Sequence, residues 1–418
     1  MTTLLTLALT PVSTLTGRQF AWLVACVCVA QLSVSAAVVR FVAYTEIDWL
    51  AYMQEVEGYL GGELDYEKLR GDTGPLVYPG AFVYLFAALR WATDGGRDVL
   101  RAQLLFAVLQ AVVVGTLCVL ARHTRHTPVG ALALAALGSR RIQSIFVLRL
   151  FNDCWATALS LVSFVLLLRA QRQRAEAAPV ALVASAALFS VAVGVKMNVL
   201  LFAPALLCVL LLQFGVARTA LHLTVCAGVQ LLVGAEFLLA APRSYLVRSF
   251  DLGRQFFYIW SVNWQFVPEQ LFLSAPFKLA LLALHVALLG AFCYARWLPA
   301  WRASNGSSDT TLLILFSANL IGVACARSLH YQFYVWYFFS LPFIGAQFAA
   351  QRQRQSGGRS GAVAWALFIA VMLALELAWN VFPPRAALSA LMCACHVGLL
   401  AITWLSFEGR VGAKSKAQ

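Results

Sequence analysis

Charged residues are scarce in this sequence. Aspartate, glutamate, lysine and arginine together make up 12% of its 418 residues, about half the fraction found in a typical soluble domain. Polar stretches long enough to form a soluble domain are also lacking, and hydrophobic residues account for 61% of the chain. The composition excludes an ordinary soluble globule, and we expect one integral membrane domain over residues 1–418.

Cysteine patterns typical of disulfide frameworks or metal sites are missing. The ten cysteines lie within or beside apolar runs, as Cys26 and Cys208 do, which is typical of packing residues. Cys393 and Cys395 stand too close together in an apolar run to predict a zinc site. We therefore expect no metal ion bound by cysteines.

The net charge of +13 does not indicate nucleic-acid binding. The basic residues are mostly arginines in short clusters between apolar runs, such as R-A-Q-R-Q-R at 169–174. That pattern is typical of cytosolic loops that face anionic lipid. We expect the lipid bilayer as a partner and no nucleic acid.

Long apolar runs are the main feature that the sequence does contain. They approach the roughly 20 residues that a helix needs to cross the hydrocarbon layer, and they do not alternate as barrel strands do. We predict an all-α, polytopic membrane protein of about twelve transmembrane helices. The runs lie near residues 20–42, 101–121, 128–147, 154–168, 179–195, 198–214, 219–240, 270–293, 310–327, 332–349, 361–380 and 388–406.

An even number of spans places both termini on one side of the membrane. Placing them in the cytosol, with a cytosolic tail at 407–418, also puts the arginine-rich loops there. The end of the chain, from Lys414 to Gln418, resembles a cytosolic signal for retrieval to the endoplasmic reticulum. The sequon at Asn305 falls in a predicted cytosolic loop, so we expect no glycan on it.

The segment between the first two spans concentrates acidic residues. Residues 44–84 hold eight of them, which we expect to lie outside the bilayer because carboxylates are costly inside it. The apolar run 78–91 is too short to cross and is predicted to lie in the membrane interface as a helix. We interpret residues 43–100 as the catalytic loop of a membrane enzyme.

Glu46 and Asp48 are the first candidates for acid–base chemistry in this loop. On an extended segment both side chains point to the same face, whereas in a helix they diverge. The structural alternative is a helix start, in which Thr45 is the cap and both acids lie in the first turn. The residues alone leave these interpretations open.

Asp72, Gly74 and Pro75 belong to the motif Gly-Asp-Thr-Gly-Pro. Glycines permit backbone angles that other residues avoid, and an aspartate in a turn can bond local amides. We interpret the motif as a turn that shapes the pocket rather than reacting.

Cations and aromatic residues recur where predicted spans emerge on the side of the acidic loop. One such charge can be a snorkelling side chain, but several loops that bring cations to one face favour an anionic ligand such as a phosphate. The segments are Arg149 before Asn152 and Asp153, Lys196 near Asn198, Arg248 with Arg254, and Arg327 with His330 and Tyr331.

Several motifs occur in the order seen in a known family. They are Y-T-E-I-D-W, L-D-Y, G-D-T-G-P-L-V-Y-P, S-I-F-V-L-R-L-F-N-D, V-K-M-N-V-L-L-F-A-P, S-F-D-L-G-R-Q-F, V-N-W and R-S-L-H-Y-Q-F-Y-V-W-Y. From about residue 40 to 382 the chain resembles the endoplasmic-reticulum α-1,3-mannosyltransferases of dolichol-linked oligosaccharide assembly, which have GT-C architecture. It departs from the family at Cys154, which is commonly proline, and at Gly80-Ala81, which reverses a common Ala-Gly.

The resemblance implies an inverting transfer of mannose from dolichyl-phosphate mannose to Man5GlcNAc2-PP-dolichol at the lumenal side of the endoplasmic reticulum. The product is the α-1,3-linked Man6 lipid. Enzymes of this type place an acid after the first span as the base, which implies Asp48, with Glu46 beside it. A divalent metal on Glu46 and Asp48 is the alternative, but a single phosphate needs less neutralising than a nucleotide diphosphate, so we expect activity without a metal and no cofactor. The residues implied to bind the donor phosphate and substrate are Arg254, His330, Arg327, Arg149, Lys196, Asn198, Asp153 and Tyr331.

Other function classes also fit a chain with many spans. A secondary transporter or a lipid flippase would share the architecture, and a GT-C transferase could use another dolichyl-phosphate sugar. The halves of the chain show no internal repeat, and the polar residues concentrate on one side, which disfavours a transporter. A transporter moves its solute unchanged, whereas the enzyme consumes lipid-linked mannose.

Overall fold

The computed structural model describes residues 7–173, 178–251 and 257–407. Within these ranges the chain forms helices and one short hairpin, which confirms the all-α class. Two sequence predictions, Arg254 and residues 408–418 of the cytosolic tail, lie outside the described residues.

The first half of the chain alternates long helices with short ones. Its helices are α1 (Gly17–Phe41), α2 (Trp49–Leu60), α3 (Gly80–Ala92), α4 (Val99–Arg122), α5 (Val129–Leu137), α6 (Arg140–Gln143), α7 (Asp153–Arg172) and α8 (Ala178–Val195). Between α2 and α3, strands β1 (Arg70–Gly71) and β2 (Gly74–Pro75) pair antiparallel. A π-helical turn, Ser144–Leu148, extends α6.

The second half continues the bundle. Its helices are α9 (Ala203–Ala240), α10 (Pro242–Ser249), α11 (Glu269–Leu273), α12 (Ala275–Phe292), α13 (Leu298–Ser304), α14 (Ser308–Ala324), α15 (Val335–Phe338), α16 (Leu341–Ser356), α17 (Gly358–Asn380) and α18 (Ala386–Ser406). Short 3-10 turns at Met197–Phe202 and Tyr331–Tyr334 precede α9 and α15.

Seven helices in the described ranges are long and apolar enough to cross a membrane, or up to nine if each of two bent pairs is one span. The protein is therefore a multi-pass membrane protein, but the expected count of about twelve is not confirmed. One bent pair is Val129–Leu137 with Arg140–Leu148, and the other is Tyr331–Phe338 with Leu341–Ser356, bent by 54° and 45°.

Short helices and a backbone break account for the difference. Two predicted spans, 179–195 and 310–327, correspond to the apolar helices Pro179–Val195 and Ser308–Ala324, which have fewer than 18 residues. The predicted spans 198–214 and 219–240 fall on either side of Gly215, where φ is 75° inside α9. Glycine adopts this left-handed conformation without a steric penalty.

The antiparallel pair α7 and α8 sets the position of the site. Small side chains let the two helices approach closely, and Ser163 and Ser185 each donate a hydrogen bond to the other's carbonyl, at 2.9 and 3.0 Å. Because α7 begins at Asp153 and α8 ends just before Lys196, this pairing brings these two charged residues together.

The acidic loop folds against the bundle through aromatic residues. On α2 the Tyr52 ring packs edge-on against Phe82 and Phe86 of α3, with centroids 5.2 and 4.9 Å apart. Trp49 is buried, and its indole donates to the Gly96 carbonyl at 2.9 Å. These contacts fix α2, and with it the acids at its start, over the ends of the neighbouring helices.

Candidate functional site

Glu46 caps helix α2. Its carboxylate accepts a hydrogen bond from the Leu50 amide at 3.0 Å and another from the Tyr44 hydroxyl at 2.6 Å. Burial, and then the bond to Glu46, raise the pKa of the Tyr44 phenol above its usual range, so Tyr44 remains a donor. Glu46 therefore has the structural role at the helix start that the sequence left open. Its carboxylate, rather than Thr45, supplies the cap.

Asp48 occupies the N-cap position of α2 but makes no side-chain capping bond. Its Oδ2 lies 3.3 Å from the hydroxyl oxygen of Tyr52, and the same hydroxyl lies 3.3 Å from Oδ1 of Asn152. Because a phenol carries one proton, Tyr52 donates to one of these oxygens at a time. The half-buried Asp48 carboxylate is thereby connected to the start of α7.

Asn152, Asp153 and Lys196 form a buried polar cluster next to Tyr52. The Lys196 ammonium donates to Asn152 Oδ1 at 2.9 Å and to Asp153 Oδ2 at 2.7 Å. Trp336 donates its indole N–H to the other Asp153 oxygen at 2.5 Å. Each charge in this cluster therefore has a direct partner, as burial requires.

The loop before α15 reaches this cluster through aromatic rings. The His330 ring stacks on Phe333 at 5.4 Å, and Phe333 stacks on Trp336 at 3.9 Å. The Lys196 ammonium lies 5.6 Å from the Phe333 ring centre. The ammonium also lies 5.3 Å from the centre of the Tyr78 ring, a further cation–π contact.

The other cations predicted to bind the donor, Arg149 and Arg327, lie on two separate segments of the chain. Arg149, half-buried after the π turn, donates to the Ser144 hydroxyl. Arg327 is half-buried three residues before His330. Tyr331 donates its hydroxyl to the Val381 carbonyl at 2.6 Å, which ties this loop to the end of α17.

Asn198 lines a separate small cavity of about 20 Å³. Its Oδ1 is buried and has no hydrogen-bond partner among the described residues. Thr157, Ser160 and Ser340 also line this cavity, as does Trp336. Through Trp336 the cavity adjoins the Asp153 cluster, and it has room for about one water molecule.

The hairpin β1–β2 holds the predicted pocket-shaping residues. Asp72 is exposed at its tip, and its amide donates to Gln54 Oε1 at 2.7 Å. Gly74 has a φ of 132°, which favours glycine. The bond to Gln54 holds this turn to α2, and among the described residues no hydrogen bond joins the turn to the Lys196 cluster.

Sequence reasoning did not single out several residues of the site. Tyr52 follows Asp48 by four positions, which places both on one helix face, so its spacing is a signal that could have identified it. In the sequence, Asn152 stands out only as the neighbour of Asp153. Tyr78 and Trp336 meet Lys196 and Asp153 only through the tertiary fold, and no local pattern predicts those contacts.

The described residues contain no group of three or more histidine, cysteine, aspartate or glutamate side chains placed to hold a metal ion. Glu46 uses its carboxylate for the helix cap and Asp153 pairs with Lys196. Metal-independent activity remains a prediction.

Comparison with known proteins gives consistent matches along the chain. Residues 25–389 match the family model described as "ALG3 protein". The Mus musculus protein named Dol-P-Man:Man(5)GlcNAc(2)-PP-Dol alpha-1,3-mannosyltransferase is 43% identical, with 92% of this chain and 86% of the mouse protein covered. The Arabidopsis thaliana protein of the same name is 40% identical, with 89% and 85% covered.

A solved structure with a similar fold matches most of the chain. It is the crystal structure of ArnT from Cupriavidus metallidurans bound to undecaprenyl phosphate, with a TM-score of 0.51 at 14% identity. The match covers 94% of this chain and 77% of ArnT. At this identity the likeness concerns the fold alone.

Proposed function

Because this chain belongs to the ALG3 protein family, we propose that it transfers mannose from dolichyl-phosphate mannose to Man5GlcNAc2-PP-dolichol, with Asp48 as the base. The enzyme is an inverting α-1,3-mannosyltransferase of N-glycan precursor assembly. The observation that carries the residue assignment is the Tyr52 hydroxyl, 3.3 Å from both Asp48 and Asn152. It connects Asp48, which unlike Glu46 makes no capping bond, to a buried charged cluster.

The reaction requires one proton acceptor and one stabilised leaving group. An acceptor hydroxyl attacks C1 of the donor mannose, the bond from C1 to the phosphate oxygen breaks, and its electron pair leaves with dolichyl phosphate. The Asp48 carboxylate takes the proton of the attacking hydroxyl. Glu46 holds the first turn of α2, which fixes the direction of the neighbouring Asp48 side chain.

Cations offset the charge that develops on the leaving phosphate. His330 and Arg327 lie on one half-buried loop and Arg149 lies half-buried after the π turn, and in the proposal these three donate to the leaving phosphate. An ammonium group has three N–H donors, and Asn152 and Asp153 accept two of those of Lys196, so one remains for the phosphate. Arg254 completes the proposed set.

Asn198, Tyr331 and the hairpin have supporting roles in the proposal. Asn198 and Asp153 position the ligands near Lys196, whereas Tyr331 binds substrate at the loop before α15. Asp72, Gly74 and Pro75 shape the entrance beside α2. No metal and no cofactor take part.

Orientation follows from the same proposal. Residues 43–100 face the lumen of the endoplasmic reticulum, where lipid-linked mannose is consumed, and both termini face the cytosol. The arginine-rich loops then lie on the cytosolic side, as expected for short loops.

Purified protein tests the proposed function directly. The expected result is transfer of mannose from dolichyl-phosphate mannose to a Man5GlcNAc2-diphospholipid, with the new linkage cleaved by an α-1,3-specific mannosidase. EDTA should leave the rate unchanged, because no metal takes part. Transfer to a different acceptor would indicate another GT-C step, and translocation of an unmodified lipid or solute would indicate a flippase or a transporter.

A further inference from the structure

Arg141 is a buried cation that forms no ion pair with any described residue. Its side chain is on α6, only 8% of the residue is exposed, and the guanidinium lies 4.7 Å from the Tyr331 ring centre. Of its three guanidinium nitrogens, only Nε is enclosed without a hydrogen-bond partner, so the two terminal nitrogens retain access to a ligand. None of the ion pairs between described residues includes Arg141.

The nearby Glu376 carboxylate does not form an ion pair with the Arg141 guanidinium. Its Oε1 accepts the Asn380 side-chain amide at 2.7 Å and the backbone amide of Arg141 at 3.3 Å. The carboxylate therefore bonds the helix backbone instead of the guanidinium. The Arg141 guanidinium is attracted electrostatically by this carboxylate and repelled by the guanidinium groups of Arg149 and Arg140.

Buried charges elsewhere in the site are paired, which makes Arg141 unusual. Asp153 and Lys196 are buried to a similar degree and bond each other at 2.7 Å. Removing a guanidinium from water costs free energy that only an anion or several acceptors can offset. Five N–H groups in a planar fork suit a phosphate, which can accept two parallel hydrogen bonds.

Apolar rings continue outward from Arg141. Tyr331 contacts the Phe382 ring at 5.9 Å, and Phe382 stacks on Trp260 at 6.0 Å. Phe382 and Trp260 are 61% and 44% exposed. A cation followed by exposed rings matches a ligand that has an anionic head and a long hydrocarbon chain.

Helix α6 also connects this position to the proposed base. From Arg141 the chain continues through the π-helical turn to Leu148. The Leu148 carbonyl accepts the Thr45 amide at 3.0 Å, one residue before Glu46. Arg141 is therefore held at a defined position relative to the segment that carries Asp48.

We infer that Arg141 binds a phosphate group of a polyprenyl-linked substrate, with the polyprenyl chain against Tyr331, Phe382 and Trp260. The inference rests on the proposed function, since that function supplies such lipids. Two of them share this chemistry, because the donor carries one phosphate and the acceptor carries a diphosphate.

Equilibrium binding to the full-length protein in nanodiscs tests the inference. The probes are dolichyl phosphate and dolichyl diphosphate, with uncharged dolichol as the reference for the chain alone. Arg141→Gln should weaken binding of at least one charged probe by roughly 10- to 100-fold, and Arg141→Lys by less. Arg140→Gln is the matched control, because Arg140 is exposed on the same helix and should leave the affinity unchanged.

The charged probes distinguish the two sources. A loss confined to dolichyl phosphate assigns Arg141 to the donor, a loss confined to the diphosphate assigns it to the acceptor, and a loss of both supports a shared site. Unchanged affinity for both probes in folded Arg141→Gln protein overturns the inference. Because no mannose is transferred in this assay, its result does not depend on which transfer reaction the protein catalyses.

Wild-type protein supplies a second readout if Arg141→Gln does not fold. Phenylglyoxal modifies accessible guanidinium groups, and mass spectrometry reports each site. Dolichyl phosphate or dolichyl diphosphate should protect Arg141 at least tenfold over dolichol, while Arg140 remains reactive. Equal labelling of Arg141 with and without the charged lipids would contradict phosphate binding there.

Discussion

Asp153 and Lys196 compensate each other's charge in the interior of the protein. Replacing Lys196 with methionine leaves the Asp153 carboxylate buried without its cation, and we expect the variant to lose about 3–5 kcal/mol of stability. Unfolding of the purified protein in detergent, followed by tryptophan fluorescence, measures this loss. The Asp153→Asn/Lys196→Met double variant should recover part of it, and a fully stable Lys196→Met single variant would contradict the pairing.

Tyr52 contributes its hydroxyl to the site and its ring to the core. Tyr52→Phe keeps the packing on Phe82 and Phe86 but removes the donor shared by Asp48 and Asn152, so we expect about a tenfold lower kcat with little change in stability. Steady-state transfer rates measure the effect. Tyr66→Phe is the control, because among the described residues no hydrogen bond joins that buried hydroxyl to the site, and its loss should leave kcat unchanged. Equal kcat for Tyr52→Phe and wild type would contradict a contribution of the Tyr52 hydroxyl to mannose transfer.

Individual site residues could be predicted only where one segment carries the signal. Asp48, Asp153 and Lys196 stand out as charges beside apolar runs, and the structure joins them through Tyr52 and Asn152. The different environments of Glu46 and Asp48 could not be predicted. The Leu50 amide can donate to either carboxylate, and the backbone geometry at the start of α2 decides that it donates to Glu46.

At the scale of elements, the contact between α3 and α9 depends on Gly80. A Cβ atom at this position would lie 2.0 Å from the Val233 carbonyl oxygen. We expect Gly80→Ala to lose about 1–3 kcal/mol of stability, because backbone on one side must move. Gly228→Ala on α9 is the control, since its added Cβ meets no described atom within 4 Å beyond its chain neighbours and its own helix backbone. Thermal unfolding distinguishes them, and equal stability of the two variants would show that α3 can shift freely.

Helices were easier to predict than the way they break. Hydropathy identified the apolar runs behind α1, α4, α7 and α12, because a continuous apolar stretch is visible in sequence. The helices bend between α5 and α6 and again before α16, but the sequence stays apolar through both bends. Hydropathy therefore predicts one straight span at each of these places. The break at Gly215 has the opposite effect, since two predicted spans belong to one long helical segment.

At the scale of the whole molecule, the proposed topology predicts the glycosylation pattern. Asn305 is exposed after α13 in the Asn-Gly-Ser sequon, yet it should carry no glycan because its loop faces the cytosol. Endoglycosidase treatment of protein expressed in microsomes should leave its mobility unchanged. As a positive control, Arg70→Asn with Asp72→Thr creates a sequon in the proposed lumenal loop and should add a glycan. A glycan on Asn305 would reverse the orientation.

Mannose transfer by folded Asp48→Asn protein tests the central claim most directly. The amide cannot accept the proton of the attacking hydroxyl, so kcat should fall by roughly 10²- to 10⁴-fold, while dolichyl phosphate still binds. Glu46→Gln serves as the matched comparison, because it should weaken the cap of α2 by about 0.5–2 kcal/mol and retain most of the transfer rate. Transfer by Asp48→Asn at the wild-type rate would contradict the assignment of Asp48 as the base.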